Sequence, residues 1–320
     1  MNPIFVSHFA KHLEDMIQFK EALGYSKSSY EKFFVNFDRF CFMNFPYESI
    51  LTRDLVMQWA RLRPSENANG LKRRMIAVRE LGKYLNTVGI QAYVIPTEII
   101  GNFKPFVPYL YTDRELSAFF KASDRLIPHK LSPFRHYIVP VIFRLIYCCG
   151  LRPSEGIKIQ CADINLRTGE LYIRETKMHR DRIIVMSSDM LILCKNYEYR
   201  INTICKNRKY FFPHPDGTAY SVSWLQSQFR KCWGIAGITD FHGDRPRVYD
   251  FRHNYATRLM MKWIEEGKDP YTWLPYLSAY MGHADFSATS YYIHLIPEHL
   301  TKSSAINWSR FTELIPEVHQ

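Results

Sequence analysis

Apolar residues recur every three or four positions over long stretches of the chain, a period that predicts helices. The first covers residues 5–23 and stops at Gly24, suited to the left-handed turn that ends a helix. A second, rich in Phe, covers 28–42. Thr52 is placed to cap a third, because its hydroxyl can accept a backbone N–H of the first turn. A fourth covers about 68–88, with Leu71, Met75, Val78, Gly82 and Leu85 on one face. Lys72, Arg79 and Lys83 form a narrow stripe beside that face. Between Gly101 and Tyr111 the pattern lapses, and Pro105 and Pro108 predict an extended linker. Thr112 with Glu115 three residues later reads as a capping box opening a new helix.

Past the linker, 136–149 is an apolar helix containing Pro140 and ending at Gly150, with Glu155 opening a short helix after it. Short strands follow at 163–165, at 170–176 after a turn at Gly169, and at 182–186. Helical spacing returns over 187–205, 222–233, 250–265, 271–280 and 287–294. The tail 298–320 keeps Leu300, Ile306, Trp308, Phe311 and Leu314, too many apolar side chains for a disordered end. The expected fold is mainly α with a small antiparallel β-sheet. It divides into a helical domain at 1–104, a linker at 105–111, a mixed α/β domain at 112–297 and the tail.

Composition adds a partner class. The chain has 320 residues, 47% of them hydrophobic, enough to build two cores. Its net charge is +11, which favours a polyanion. Arg61, Arg63, Arg73 and Arg74 thicken the stripe of Lys72, Arg79 and Lys83 and point to DNA phosphates. No stretch reaches the roughly 18 apolar residues of a membrane span, so a membrane is not an expected partner. The first twenty residues carry charges throughout, unlike a signal peptide. Seven Cys without paired spacing fit a reducing cytoplasm, with Cys148 and Cys149 as buried thiols. His242, His253, His283 and His294 lack the short paired spacing with Cys that a zinc site needs, so no metal is expected.

Four separated motifs carry the candidate chemistry. Gly150 leads to Arg152 and Glu155; Lys177 is followed by Arg180 and Arg182; Tyr249 precedes Arg252 and His253; His283 precedes Tyr291 and Tyr292. The order Arg, Lys, Arg, His, Tyr and these local contexts resemble the tyrosine recombinases, or phage integrase family, over about residues 111–300. The resemblance implies a helical (SAM-like) core DNA-binding domain and a catalytic domain that close on DNA. It implies Tyr292 as the nucleophile, Arg152 and Arg252 as a phosphate clamp, Lys177 as general acid, and His283 and Glu155 in support. The family's usual His three residues before the second Arg is here Tyr249, a phenol that can bond a phosphate but not shuttle protons near neutral pH.

The chemistry suits these residue types. The transition state of phosphodiester attack gathers charge on its non-bridging oxygens, which guanidinium forks match. A hairpin Lys can donate a proton when neighbouring cations lower its pKa, whereas Arg180 stays charged. Tyr291 and Tyr292 would point about 100° apart on a helix, so only one can face the phosphate. The expected activity is site-specific recombination through a 3′-phosphotyrosyl intermediate, with no cofactor because the covalent link keeps the bond energy. Expected partners are double-stranded DNA with inverted-repeat core sites and further copies of the chain, forming a tetramer on synapsed DNA. The expected location is the cytoplasm, with the nucleoid. The DNA-binding expectation falls on Lys72, Arg73, Arg74, Arg79, Lys83, Arg180 and Arg182. A non-catalytic DNA-binding protein on the same fold and a type IB topoisomerase are the alternatives.

Overall fold

Several helix starts in this chain are set by side chains that accept orphan N–H groups. The computed structural model describes residues 5–64, 66–101, 107–174, 181–239, 245–283, 289, 291 and 292. Its contacts gather into two compact units, Met1–Phe106 and Val107–Gln320.

The first unit contains α1 (Ala10–Ala22), α2 (Ser28–Asn44), α3 (Arg53–Trp59), α4 (Ala68–Thr87) and the short α5 (Thr97–Ile100). Thr52 Oγ1 accepts the Leu55 N–H, and Asn67 Oδ1 accepts the Gly70 N–H, so both caps are local. Helix α1 starts five residues later than its apolar spacing predicts. The reason is tertiary: buried Asp38 of α2 accepts the Val6 and Ser7 N–H groups at 2.8 and 2.9 Å. Those amides are therefore committed outside a helix, while Phe5 and Phe9 still enter the core. That core packs Phe34 and Phe37 against Trp59, with Phe37 meeting the Trp59 ring edge-on at 5.2 Å. On α4 Met75, Val78, Gly82 and Leu85 are buried as their spacing requires, with Leu71 half-buried. Gly82 sits where a Cβ would lie 2.5 Å from the Tyr93 carbonyl, so only glycine lets that segment pass.

The second unit is built around α7 (Arg135–Cys149), which packs against α6 (Asp113–Asp124), α9 (Ser188–Ile204) and α11 (Asp250–Glu265). Helices α8 (Pro153–Lys158), α10 (Val222–Ile235) and α12 (Pro270–Met281) complete it. The Thr112–Glu115 capping box opens α6, and Ser187 caps α9. Phe119, Phe143, Phe229 and Phe251 meet at the centre, with Phe119 4.9 Å from Phe229 and 5.2 Å from Phe143. Residues 107–111 belong to this body. Tyr111 is buried against Phe229, Trp233 and Phe251, and its hydroxyl donates to the Arg247 carbonyl at 2.8 Å.

Strands β1 (Glu170–Ile173) and β2 (Arg182–Val185) pair antiparallel, with Tyr172 opposite Ile183. Leu171, Ile173 and Ile184 face the core. The strand expected at 163–165 does not form. Asp163 turns its carboxylate back to the Gln160 N–H and the Arg174 side chain, closing a tight turn, and Ile164 makes one bridge to Leu171. Side-chain capture of the backbone competes with the ladder there. The distal ends of the 170–176 expectation, Lys177 and Arg180 lie outside the described residues. So does the tail 298–320 and, apart from Thr289, Tyr291 and Tyr292, the helix expected at 287–294.

Candidate active site

Helix α12 ends at Gly282, whose φ of +62° turns the chain out of the helix. The Gly282 and His283 N–H groups bond back to the Ala279 and Ser278 carbonyls. The next three carbonyls would otherwise lack partners at the helix's negative end. Each receives a different arginine. Arg182 Nε donates to the Tyr280 carbonyl at 2.7 Å, Arg252 Nη2 to the Met281 carbonyl, and Arg152 Nη2 to the Gly282 carbonyl at 2.7 Å.

The same three arginines converge on one buried carboxylate. Glu155 Oε1 accepts from Arg152 Nη1 at 2.7 Å and Arg182 Nη1 at 3.1 Å. Glu155 Oε2 accepts from the Arg152 backbone N–H at 2.8 Å and Arg182 Nη2 at 2.9 Å. Arg252 Nη1 stands 3.9 Å from that oxygen and donates to the Gly150 carbonyl at 2.8 Å. Gly150 itself has a φ of +60°, and a Cβ there would strike the Tyr255 ring at 2.5 Å. The turn that delivers Arg152 therefore requires glycine. Burial alone would raise the Glu155 pKa; hydrogen bonding and charge from Arg182, with help from Arg152 and Arg252, hold it below the usual carboxylate value.

Arg252 is fully buried, and its Nε–H has no partner among the described residues. Burial, with Arg152 nearby, brings its pKa down to about 10, so the group remains charged at neutral pH. Asp250 is not its counter-ion, since that carboxylate is taken by the Arg247 N–H at 2.8 Å and Arg247 Nη2 at 3.0 Å.

Tyr292 lies against this cluster at 2% exposure, packed with Ala256, Met260 and Met281. Burial pushes its phenol up to about 12, while the charges of Arg252 and Arg152 pull the other way. Its ring lies 5.7 Å from that of His253 and 6.1 Å from that of His283. His283 Nδ1 pairs with Thr289 Oγ1 at 2.6 Å. Tyr291, the neighbouring phenol, is half-buried. Tyr249 precedes α11 at 39% exposure, its ring 5.2 Å from His253. His253 drew no catalytic role from sequence, yet it stands between Tyr249 and the two tyrosines. Burial, then Arg247, Arg252 and His283, drives its pKa down to about 3.

The structure thus gathers Arg152, Glu155, Arg252, His283 and Tyr292, with Tyr249 at the edge. It also corrects two arginines expected on DNA. Arg182 lies inside the cluster, its side chain 9% exposed, because Glu155 and the Tyr280 carbonyl offer it better acceptors than water. Arg74 lies in the first unit's core at 3% exposure. It bonds Glu66 twice, at 3.0 and 2.7 Å, together with the Trp59 and Arg61 carbonyls. Of the remaining stripe, Arg73 and Lys83 are exposed and Lys72 is half-buried. Lys83 pairs with Glu80 at 2.9 Å, and Arg79 caps the Ile95 carbonyl. Among the described residues, no group of three or more His, Cys, Asp or Glu is gathered to hold a metal ion. No described helix is long and apolar enough to cross a membrane.

Comparison with known proteins places the chain in a family. The model of the phage integrase family matches residues 111–299, and the chain belongs to that family. It is a tyrosine recombinase, of the class that breaks and rejoins DNA in site-specific recombination. A Sinorhizobium fredii protein with the provisional name integrase/recombinase y4rB is 28% identical over 306 residues, covering 92% of this chain and 95% of its own. The tyrosine recombinase XerD of Rickettsia prowazekii is 28% identical over 173 residues, 51% of this chain and 52% of that one. In fold, the chain resembles the XerH site-specific recombinase on its difH substrate, with TM-score 0.65, 18% identity, and 92% and 83% of the two chains covered. It also resembles a lambda integrase dimer bound to a core site, with TM-score 0.64, 15% identity and coverages of 88% and 94%.

Proposed function

We propose that this chain cuts and rejoins duplex DNA through a covalent link between Tyr292 and a 3′ phosphate. The observation that supports it most is the surplus of guanidinium charge beside the Tyr292 phenol, three arginines to one carboxylate. Tyr292 Oη attacks the phosphorus and the bond to the 5′ oxygen breaks. The phenol proton is released, and the 5′ oxygen takes a proton from Lys177 on the segment joining β1 to β2. Arg152 and Arg252 hold the non-bridging oxygens as they gain charge. His283, braced by Thr289, hydrogen-bonds the phosphate, and Tyr249 does so from the position that usually holds His. A 5′ hydroxyl from a second strand reverses the step. The buried phenol must come out to reach a phosphorus, so DNA binding is also the event that opens the site.

In this reading the first unit grips DNA through exposed cations such as Arg73 and Lys83, helped by Lys72 and, from the second unit, Arg180. Two inverted half-sites each take one protomer, and four protomers hold two synapsed sites. A lambda integrase tetramer on a Holliday junction shares the fold, with TM-score 0.61. The test is a suicide substrate nicked beside the cleavage point. Wild type should accumulate protein-linked DNA, and Tyr292→Phe should bind equally and form none. A normal adduct from the mutant would move the nucleophile to Tyr291. An adduct that only relaxes supercoils, without strand exchange, would favour the topoisomerase reading.

A further inference from the structure

Arg182 opens β2 and was expected on DNA, yet the fold turns it inward. Its three nitrogens all have protein acceptors: Nε the Tyr280 carbonyl, Nη1 and Nη2 the two oxygens of Glu155. A bidentate pair of this kind is the strongest partner that a carboxylate finds in a protein. The consequence lies in what Glu155 does not then demand. With Arg182 in place, Arg252 stays 3.9 Å away and Arg152 gives Glu155 only Nη1 and its backbone N–H. Without it, a buried carboxylate would lack two donors and would recruit both neighbours, because an undersatisfied buried charge is costly. Those neighbours are the guanidinium groups that a DNA phosphate needs.

We propose that Arg182 is a positioning residue of the recombination site, neutralising Glu155 so that Arg152 and Arg252 remain available to the scissile phosphate. It touches no DNA. It works through Glu155 and through the Tyr280 carbonyl, which aligns the two carbonyls after it with the other arginines. Gly282 belongs to the same device: a Cβ there would lie 2.9 Å from Arg182 Nη1, so a side chain would push the guanidinium off its carboxylate. The inference rests on the proposed function above.

The experiment is single-turnover cleavage of the suicide substrate by full-length protein at saturating concentration, with half-site affinity measured against salt. Arg182→Met should bind with unchanged affinity and salt slope, yet cleave at least about tenfold more slowly, the mark of an interaction felt in the transition state. Adding Glu155→Gln to Arg182→Met should restore much of that loss, because an amide no longer competes for the clamp. Arg182→Lys should fall between, since it keeps the charge and loses the fork. It also serves if Arg182→Met fails to fold. A merely structural role predicts a double mutant no faster than Arg182→Met, and that result would overturn the proposal. So would weaker binding with a salt slope lower by about one, which would put Arg182 on a phosphate. Wild-type protein that forms no adduct would instead sink the reading of the whole site, and this inference with it.

Discussion

Two buried arginine clusters, one in each unit, use the same parts to opposite ends. In the first unit Arg74 meets one carboxylate, Glu66, and two carbonyls, and its guanidinium lies 4.5 Å over the Trp59 ring. Arg63 lies over the same ring, also at 4.5 Å. Inside the core one buried cation, Arg74, faces one carboxylate, while Arg63 is exposed beside them. In the second unit, three guanidinium groups share the single carboxylate of Glu155, and among the described residues the buried Arg252 Nε–H has no partner. A balanced cluster is a structural rivet. An unbalanced one is a standing demand for an anion, because the excess charge is buried and costs free energy until something negative arrives. Counting charges tells these two clusters apart where exposure does not, since Arg74 and Arg252 are both buried.

The widest consequence falls on Arg252. Arg252→Lys keeps the charge but loses the fork that spans the Gly150 and Met281 carbonyls. Cleavage should drop by ~10²-fold, the scale of one lost transition-state donor. Single-turnover rates check it, and a near-normal rate would remove Arg252 from the clamp. Arg74→Met should do the reverse. It strands Glu66, which keeps some contact with water, and should lower the stability of the first unit by about 2–3 kcal/mol in denaturant titrations, somewhat below the cost of breaking a fully buried pair. DNA affinity, read well below the melting temperature, should hold. A large affinity loss without destabilisation would return Arg74 to the DNA surface.

The smallest effect concerns His253, which burial and neighbouring cations keep neutral with a pKa of about 3. The unfolded chain takes up that proton near the ordinary value of about 6.5. Its contribution to stability is therefore complete above about pH 6.5 and is lost progressively as pH falls towards 3. His253→Phe removes the titration while keeping a ring beside Tyr292. Its melting temperature should fall less than that of wild type between pH 7 and pH 5. Parallel curves for the two proteins would mean that His253 is protonated in the fold.

Much of this architecture was legible in the sequence because its signals are local. Thr52 and Thr112 cap helices by reaching only three residues ahead, and α11 runs between the residues its spacing indicated. Gly150 marks the turn that presents Arg152. The errors are non-local. Asp38 delays α1 by capturing amides more than thirty residues away, at sequence separations of 31 and 32. Arg74 and Arg182 were read as surface cations because a sequence displays a charge but not the carboxylate that meets it. His253 reads from sequence only as a structural neighbour of Arg252, since its surroundings come from three separate segments.

The end of α12 has a consequence for how the protein is made. Its three carbonyls hold arginines that lie 98, 29 and 130 residues earlier in the chain. During synthesis those cations emerge from the ribosome well before the acceptors that orient them. A nascent chain short of Gly282 can pair Arg152 and Arg182 with Glu155, but it lacks the α12 carbonyls that orient all three guanidinium groups. The arrangement of all three guanidinium groups is therefore completed only once the end of α12 has been made.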